Sequence, residues 1–371
     1  MKNILVVFGT RPEVIKLAPV ILELKKYPQK YNVIICNTEQ QKELSNQTLQ
    51  YFGLNADINL DCMRPNQSLT EVQARILTSL EKVFSENQID VTIVQGDTMT
   101  VFCGALVSFY HKVPVCHVEA GLRSYNLFEP FPEEVMRQMT ARITDLHFAP
   151  TEAAKEALIK EDINPDKVFL TGNTVIDALS CLSEERISEA IKKLQEKGVE
   201  FNDKLVLLTA HRRENHGKRL EDILSAIEIL TQKFSDHQFV IPVHPNPNVH
   251  DKIHNVLSDK ENVILTEPLD YPELVCLMKH TKLVLTDSGG IQEEAPTFGN
   301  PVLVMRYETE RKEGVEAGFA KLVGADMEKI VKETSNILEK PKSETRLDGG
   351  KNPYGDGKAS QRIEKLLCQH L

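Results

Sequence analysis

The stretch LVLTDSGGIQEEAP, residues 283–296, contains the strand-to-helix transition from which the fold can be predicted. Its first four residues are mostly apolar and predict a buried strand, which ends at Asp287-Ser288-Gly289-Gly290. The residues from Ile291 onward predict the start of a helix. Unpaired N–H groups at such a start favour an anion, and glycines let a ligand approach the backbone. A simple turn with glycines for tight packing is the alternative interpretation of this stretch alone.

The same succession of strand, polar turn and helix recurs along the chain. Strands are predicted at 4–8, 33–36, 91–95, 113–118, 146–149 and 168–170, and again at 205–209, 239–243, 263–265, 283–286, 302–305 and 321–323. Strands that alternate with helices predict parallel sheets covered on both faces. We therefore predict an α/β protein of two Rossmann-like domains, 1–171 and 172–355. A last amphipathic helix in 356–371 can pack on either domain, and we assign it to the N-terminal one.

Composition excludes several classes of protein. A length of 371 residues favours two domains over one, and the formal net charge of −10 argues against a nucleic-acid-binding protein. No apolar run approaches the ~20 residues of a membrane span. The N-terminus runs directly into a predicted strand, so we expect no signal peptide. The seven cysteines are odd in number and widely spaced, which predicts reduced thiols and a cytoplasmic protein.

Charged residues follow the predicted strands, where open parallel sheets bind their ligands. In the second half, Ser288-Gly289-Gly290 suits phosphate, Glu294 suits ribose hydroxyls, and Arg311 or His211 suits negative charge. The first half offers carboxylates that can share acid and base roles, namely Asp97, Glu119 and Glu133 or its neighbour Glu134. If the halves face each other across a cleft, these groups fit chemistry on a nucleotide-linked sugar.

Each candidate also has a structural interpretation. Asp97 can cap the following helix, Glu119 can pair with Arg123, and His211 can be an ordinary loop histidine. His250 and His254 have helical spacing for a metal, but the sequence shows no third ligand nearby, so we predict no metal site.

The motifs, taken in order, resemble the non-hydrolysing UDP-N-acetylglucosamine 2-epimerase family across nearly the whole chain. The matching motifs are FGTRPE (8–13), QGDT (95–98), HVEAGLR (117–123), PFPEE (130–134), GNTVIDAL (172–179), AHRREN (210–215), VHPNPNV (243–249), LTDSGGIQEEAP (285–296), TERKEGVEAG (309–318) and NPYGDG (352–357). The resemblance implies a GT-B-like fold and inversion at C2 of UDP-GlcNAc to give UDP-ManNAc, without a cofactor. It also implies a homodimer.

The resemblance also assigns residues. It implies that the catalytic groups are Asp97, Glu119, Glu133 and His211. It implies that UDP is held by Arg11, Lys16, Leu269, Leu274, Ser288, Gly289, Gly290, Glu294 and Arg311, with the two leucines at the uracil. The implied route eliminates UDP to 2-acetamidoglucal and adds it back. The sequence leaves open which carboxylate is the base.

One pair of positions departs from the family pattern. Many bacterial relatives carry histidine and arginine at a second, activating UDP-GlcNAc site, where this chain has Gln41 and Asn66. We expect activation by UDP-GlcNAc to be altered or absent. The change also fits a 2-epimerase of a related UDP-2-acetamido sugar, such as one that forms UDP-N-acetyl-L-fucosamine. A GT-B glycosyltransferase and a non-catalytic UDP-sugar sensor are further alternatives.

Overall fold

The computed structural model describes residues 1–370, without the side chains of Arg213 and Asn248. The chain divides into two compact units. One comprises Met1–Cys181 and the segment from Tyr354 onward, and the other is Leu182–Pro353. None of the helices in the described part of the chain is both long and apolar enough to cross a membrane.

The first unit is built on a seven-stranded parallel sheet of order β3-β2-β1-β4-β5-β6-β7. Its strands are Lys2–Phe8 (β1), Tyr31–Asn37 (β2), Ile58–Asn59 (β3), Val91–Gln95 (β4), Val115–Val118 (β5), Leu146–Ala149 (β6) and Val168–Leu170 (β7). Its helices before the crossover are Arg11–Lys25 (α1), Lys42–Tyr51 (α2), Leu69–Glu86 (α3), Met99–Tyr110 (α4), Glu133–Arg142 (α5), Glu152–Lys160 (α6) and Thr174–Cys181 (α7).

The second unit has a six-stranded parallel sheet of order β10-β9-β8-β11-β12-β13. Its strands are Leu205–Thr209 (β8), Gln238–Pro242 (β9), Val263–Thr266 (β10), Leu283–Thr286 (β11), Val302–Val304 (β12) and Ala320–Leu322 (β13). Its helices are Glu184–Glu196 (α8), Lys218–Lys233 (α9), Pro247–Leu257 (α10), Tyr271–His280 (α11), Gly289–Glu294 (α12), Lys312–Glu316 (α13), Met327–Leu338 (α14) and Lys342–Thr345 (α15). The chain ends in Ala359–His370 (α16).

Both sheets reverse their direction of growth between two central strands. In the first sheet the reversal lies between β1 and β4, and in the second between β8 and β11. These strands are buried except at the first two residues of β1, which agrees with their largely apolar sequence. Loops that leave the two central strands of such a sheet diverge and open a crevice for a ligand. Each unit is therefore best able to bind a ligand at the residues that follow its two central strands, which are β1 and β4 in the first unit and β8 and β11 in the second.

Two features differ from the sequence-based expectation. The short edge strand β3 and helix α2 were not predicted, because their sequence is polar and lacks a clear period. The predicted domain boundary after residue 171 also precedes the boundary between the units. Helix α7 belongs to the first unit, where it packs against α1 and α16.

Helix α16 joins the first unit through a buried carboxylate. Asp177 in α7 accepts hydrogen bonds from the backbone N–H groups of Ala359 (3.1 Å) and Ser360 (2.8 Å), and also from the Ser360 hydroxyl. Farther along the helix, Glu364 accepts from the Tyr31 hydroxyl at 3.2 Å. The start of α16 is thus capped by a residue distant in sequence.

Replacing Asp177 with alanine should destabilise this attachment. The variant would leave buried donors at the start of α16 without their acceptor, so we expect the free energy of unfolding to fall by about 2–3 kcal/mol. Urea unfolding measures the loss, and hydrogen exchange in α16 localises it. Asp356→Asn is the matched control, since it weakens an exposed ion pair with Arg362 but keeps an oxygen for the backbone N–H of Lys358, and it should cost less than about 1 kcal/mol. Equal stability of the two variants would contradict this role of Asp177.

Candidate functional site

The crevice of the first unit brings together the loops after β1 and β4. Thr10 caps α1, and the carboxylate of Glu13 accepts from the backbone N–H groups of Gly9 (3.1 Å) and Thr10 (2.8 Å). The same carboxylate accepts from the Thr98 hydroxyl at 2.9 Å, in the loop that carries Asp97. Burial raises the pKa of Glu13 to about 7, against the effect of these hydrogen bonds. Glu13 therefore joins the loop of Arg11 to the loop of Asp97.

Two predicted site residues form an ion pair in this crevice. Lys16, one turn into α1, contacts Glu119, which follows β5. Both side chains are largely buried, with exposed fractions of 13% and 8%. Glu119 has a φ of 63°, in the left-handed region that residues other than glycine rarely adopt. Strained backbone conformations of this kind are common at functional sites.

Glu133 and Glu134, at the start of α5, lie in different environments. Glu133 is the first residue of the helix and is partly exposed. Glu134 is fully buried and accepts from the backbone N–H groups of Ser124 (2.9 Å) and Tyr125 (3.1 Å). Glu134 and Asp97 both bind Arg137. Arg137 was missed at the sequence level, because only the fold brings α5 to the end of β4.

Two buried histidines lie side by side in this sheet. His117 in β5 and His147 in β6 are paired in register, and the Nε2–H of His117 donates to the carbonyl oxygen of Gly96 at 2.7 Å. Burial lowers the pKa of His117 to about 4 and that of His147 to about 3. Both rings are therefore neutral at neutral pH, so His117 is suited to supporting the Gly96 turn rather than to supplying a positive charge.

These histidines should make the protein sensitive to acid. In the unfolded chain histidine has a pKa of ~6.5, so the unfolded state binds more protons and stability falls as the pH drops below that value. Between pH 8 and pH 5 we expect a loss of about 2 kcal/mol for each histidine. Urea unfolding at the two pH values tests this. His147→Leu should make the change in stability between the two pH values smaller by about 2 kcal/mol, whereas His250→Leu, at a partly exposed position, should leave that change as it is. If the His147→Leu variant lost as much stability in acid as the wild type, the assignment of this loss to buried His147 would be wrong.

In the second unit, buried Asp287 organises the loop after β8. Its carboxylate accepts from the backbone N–H groups of His211 (3.0 Å) and Arg212 (2.9 Å), and from the Asn215 side chain at 3.0 Å. The Nδ1 atom of His211 lies 3.3 Å from an Asp287 oxygen, and its ring stacks on His244 with 5.9 Å between centroids. Burial lowers the pKa of His211, while the Asp287 charge opposes that shift.

Two arginines converge on the glycines that follow β11. A β-carbon on Gly289 would lie 3.2 Å from Cζ of Arg311 and 3.3 Å from Nη2 of Arg212. A β-carbon on Gly290 would meet nothing within 4 Å, so this side of the turn is open. Ser288 directly precedes α12, and buried Glu293 accepts from Nε of Arg311 at 2.9 Å. Guanidinium groups beside an open glycine turn form an arrangement suited to a phosphate group.

The remaining predicted residues of the second unit lie around this turn and after β10. Glu294 is buried at the end of α12. Leu269 is buried and Leu274 partly buried, on either side of the start of α11, where Asp270 and Glu273 form a capping box. Among the described residues, no group of three or more His, Cys, Asp or Glu side chains is placed to hold a metal ion.

Two Rossmann-like units, each with charged residues at the crevice of its sheet, define an α/β protein of the GT-B-like class. The family model of UDP-N-acetylglucosamine 2-epimerase matches residues 23–368. The chain belongs to this family.

Relatives of known name extend the match over the whole chain. The UDP-N-acetylglucosamine 2-epimerase of Neisseria meningitidis is 47% identical over 374 residues, covering 99% of this chain and all of that protein. The enzyme of the same name from Bacillus subtilis is 45% identical, covering 99% of this chain and 95% of that protein.

Solved structures match over the full length as well. The crystal structure of the Neisseria meningitidis enzyme bound to UDP-GlcNAc has a TM-score of 0.89 at 46% identity, and 100% of both chains is covered. The Methanocaldococcus jannaschii enzyme in complex with UDP-GlcNAc and UDP has a TM-score of 0.79 at 35% identity, again covering 100% of both chains.

Proposed function

We propose that this protein catalyses the non-hydrolysing C2 epimerisation of UDP-GlcNAc to UDP-ManNAc. Family membership supports the reaction class. The observation that carries the proposal is that candidate acid–base carboxylates lie in one unit and a glycine turn lined by arginines lies in the other. Carboxylates at Asp97 and Glu119 lie in the first unit, and the guanidinium groups of Arg212 and Arg311 lie beside the Gly289 turn in the second. The proposed chemistry uses carboxylates for proton transfer and guanidinium groups for phosphate binding.

Elimination followed by re-addition is the route that suits these groups. The C2 hydrogen of UDP-GlcNAc is not adjacent to a carbonyl, so its direct removal is difficult. Breakage of the C1–O bond releases UDP and builds positive charge at C1, which acidifies the C2 hydrogen. A carboxylate takes that proton and the C1–C2 double bond of 2-acetamidoglucal forms. UDP then bonds to C1 again, and an acid delivers a proton to the other face of C2.

The two units divide this work in the proposal. Asp97 and Glu119 handle the protons at C2, and Glu133 is a third acid, base or orienting group. Arg11 and Lys16 contact UDP from the first unit. His211 is the catalytic group contributed by the second unit. The other contacts to UDP come from Ser288, Gly289, Gly290, Glu294 and Arg311, with Leu269 and Leu274 at the uracil. UDP must remain bound between the two steps, and the arginine-lined glycine turn suits that task.

Proton NMR of the purified protein with UDP-GlcNAc in deuterated buffer tests the proposal. We expect UDP-ManNAc to appear with deuterium at C2 in both epimers, without accumulation of free sugar. Free ManNAc would indicate hydrolysis, and an unchanged spectrum would refute the activity on UDP-GlcNAc. A 2-epimerase of a related UDP-2-acetamido sugar would turn over that sugar instead.

We also propose that activation by UDP-GlcNAc is altered in this chain. Gln41 and Asn66 replace the residues of the family pattern, and the side-chain oxygen of Gln41 accepts from the backbone N–H of Arg11 at 3.1 Å. Initial rates should rise hyperbolically with UDP-GlcNAc, and UDP-ManNAc alone should turn over. A sigmoidal curve, together with no reverse reaction unless UDP-GlcNAc is added, would refute this.

A homodimer in the cytoplasm completes the proposal. The family resemblance supports the dimer, and the seven cysteines, all free, agree with a reducing compartment. Light scattering coupled to size-exclusion chromatography measures the oligomeric state.

A further inference from the structure

Arg137 in α5 connects two carboxylates that lie far apart in sequence. Its Nη1 donates to Oε2 of Glu134 at 3.0 Å, and its Nε donates to Oδ2 of Asp97 at 3.1 Å. Its Nη2 donates to the same Oδ2 atom. Neither bond to Asp97 uses Oδ1, so the guanidinium group holds one oxygen of this carboxylate and leaves the other in a defined direction.

Exposure increases along this chain of contacts. The exposed fraction of the side chain is 0% for Glu134, 14% for Arg137 and 27% for Asp97. Only Asp97 is appreciably open to a ligand. Glu134 and Arg137 therefore lie behind the carboxylate to which the proposed proton transfer is assigned.

Glu134 is itself held in place from several sides. In addition to Arg137, it accepts from the backbone N–H groups of Ser124 and Tyr125 and from Nε2 of Gln138 at 2.7 Å. Burial alone would raise the pKa of Glu134, but these hydrogen bonds and the Arg137 charge lower it below its usual value. An ionised, fully bonded carboxylate is a rigid support for a guanidinium group and a poor source of a proton.

We infer that Arg137 is a positioning residue that directs Oδ1 of Asp97 toward the reacting carbon, and that Glu134 fixes Arg137 for this purpose. The inference rests on the proposed function, because it needs Asp97 as an acid or base. It separates the two acidic residues at the start of α5, since Glu134 supports the site from behind and only Glu133 remains available to the substrate.

Arg137→Met tests the inference, with Arg142→Met as the matched control on the same helix. Arg142 donates to the backbone oxygen of Glu161 and has no part in the Asp97 contacts. We expect Arg137→Met to lower kcat by about 100-fold, as for other losses of a group that orients a reactive one. The KM for UDP-GlcNAc and the affinity for UDP should change by less than about threefold. Arg142→Met should keep the wild-type kcat. Arg137→Lys should reach about a tenth of the wild-type kcat, because lysine keeps the positive charge but cannot donate to both carboxylates as a planar guanidinium group does.

Two further measurements separate positioning from a general loss of structure. Added guanidinium chloride, at concentrations that leave the wild type folded and active, should raise the activity of Arg137→Ala. It should have no such effect on Asp97→Asn combined with Arg137→Ala. Adding Arg137→Met to the Asp97→Asn variant should lower the rate far less than adding it to the wild type. The reason is that Arg137 acts through the carboxylate that Asp97→Asn has already removed.

The outcomes distinguish this inference from the proposed function. An active wild type with an unimpaired Arg137→Met variant overturns the inference alone. The inference is also overturned if kcat falls but added guanidinium does not rescue Arg137→Ala, and if the effects of Arg137→Met and Asp97→Asn on the rate multiply in the double variant. A wild type that epimerises no UDP-2-acetamido sugar overturns both.

Discussion

Asp97→Asn is expected to lower kcat for epimerisation by about 10³-fold, because asparagine keeps the size of the side chain but cannot accept or deliver the proton at C2. The affinity for UDP should change by less than about threefold, since the assigned phosphate contacts come mainly from the second unit. NMR in deuterated buffer measures both the turnover and the deuterium at C2, and calorimetry measures the binding of UDP.

Asp90→Asn is a suitable control for this substitution. Asp90 lies just before β4, at the opposite end of the strand from Asp97, and accepts from the backbone N–H of Asn3 at 2.7 Å. The amide keeps an oxygen for that bond, so the activity should stay at the wild-type level. If Asp97→Asn also kept its activity, the assignment of proton transfer to Asp97 would be wrong, and the inference about Arg137 would fail with it.

Arg311→Met should give the largest effect on binding. Removing this guanidinium group would delete the charge-assisted hydrogen bonds that we propose it makes to a phosphate, each worth about 1.5–3 kcal/mol, which corresponds to a rise in the Kd for UDP of roughly 10- to 100-fold. It also leaves buried Glu293 without its bond from Nε of Arg311. Calorimetric titration with UDP measures the change, and kcat/KM for UDP-GlcNAc should fall in parallel.

Lys312→Met removes a neighbouring positive charge at an exposed position. A general decrease in positive potential would affect both variants, whereas a direct contact to phosphate affects only Arg311→Met. We therefore expect the Kd of Lys312→Met to stay within about twofold of wild type. Equal losses of affinity in the two variants would contradict a phosphate contact from Arg311.

Features with a short sequence spacing were predictable from the chain alone. The apolar strand at 283–286 and the turn at 287–290 have a local physical cause, as does the capping box of Thr10 and Glu13. The alternation of strands and helices predicted two parallel sheets, and both are present. The family, too, followed from motifs that are contiguous in sequence, and the match over residues 23–368 confirms it.

Contacts between distant segments were not predictable in the same way. Arg137 and Asp97 are 40 residues apart, and Asp287 is 76 residues from the His211 backbone that it holds. Glu133 and Glu134 are neighbours with equal chemistry, and only the packing of α5 buries one of them and leaves the other partly exposed. The capping of α16 by Asp177 likewise joins residues 183 positions apart.

Local propensity and apolar periodicity thus determine which segments become strands, turns and helices, because each depends on neighbours within a few residues. The order of strands in each sheet decides which turns become neighbours, and packing and hydrogen bonding decide which carboxylate is held rigidly and which is open to a ligand. In this protein the short motifs predict that Asp97 and the Gly289 turn belong to the site. Folding alone supplies Arg137 and Glu134 behind Asp97, and brings Arg212 and Arg311 together beside Gly289.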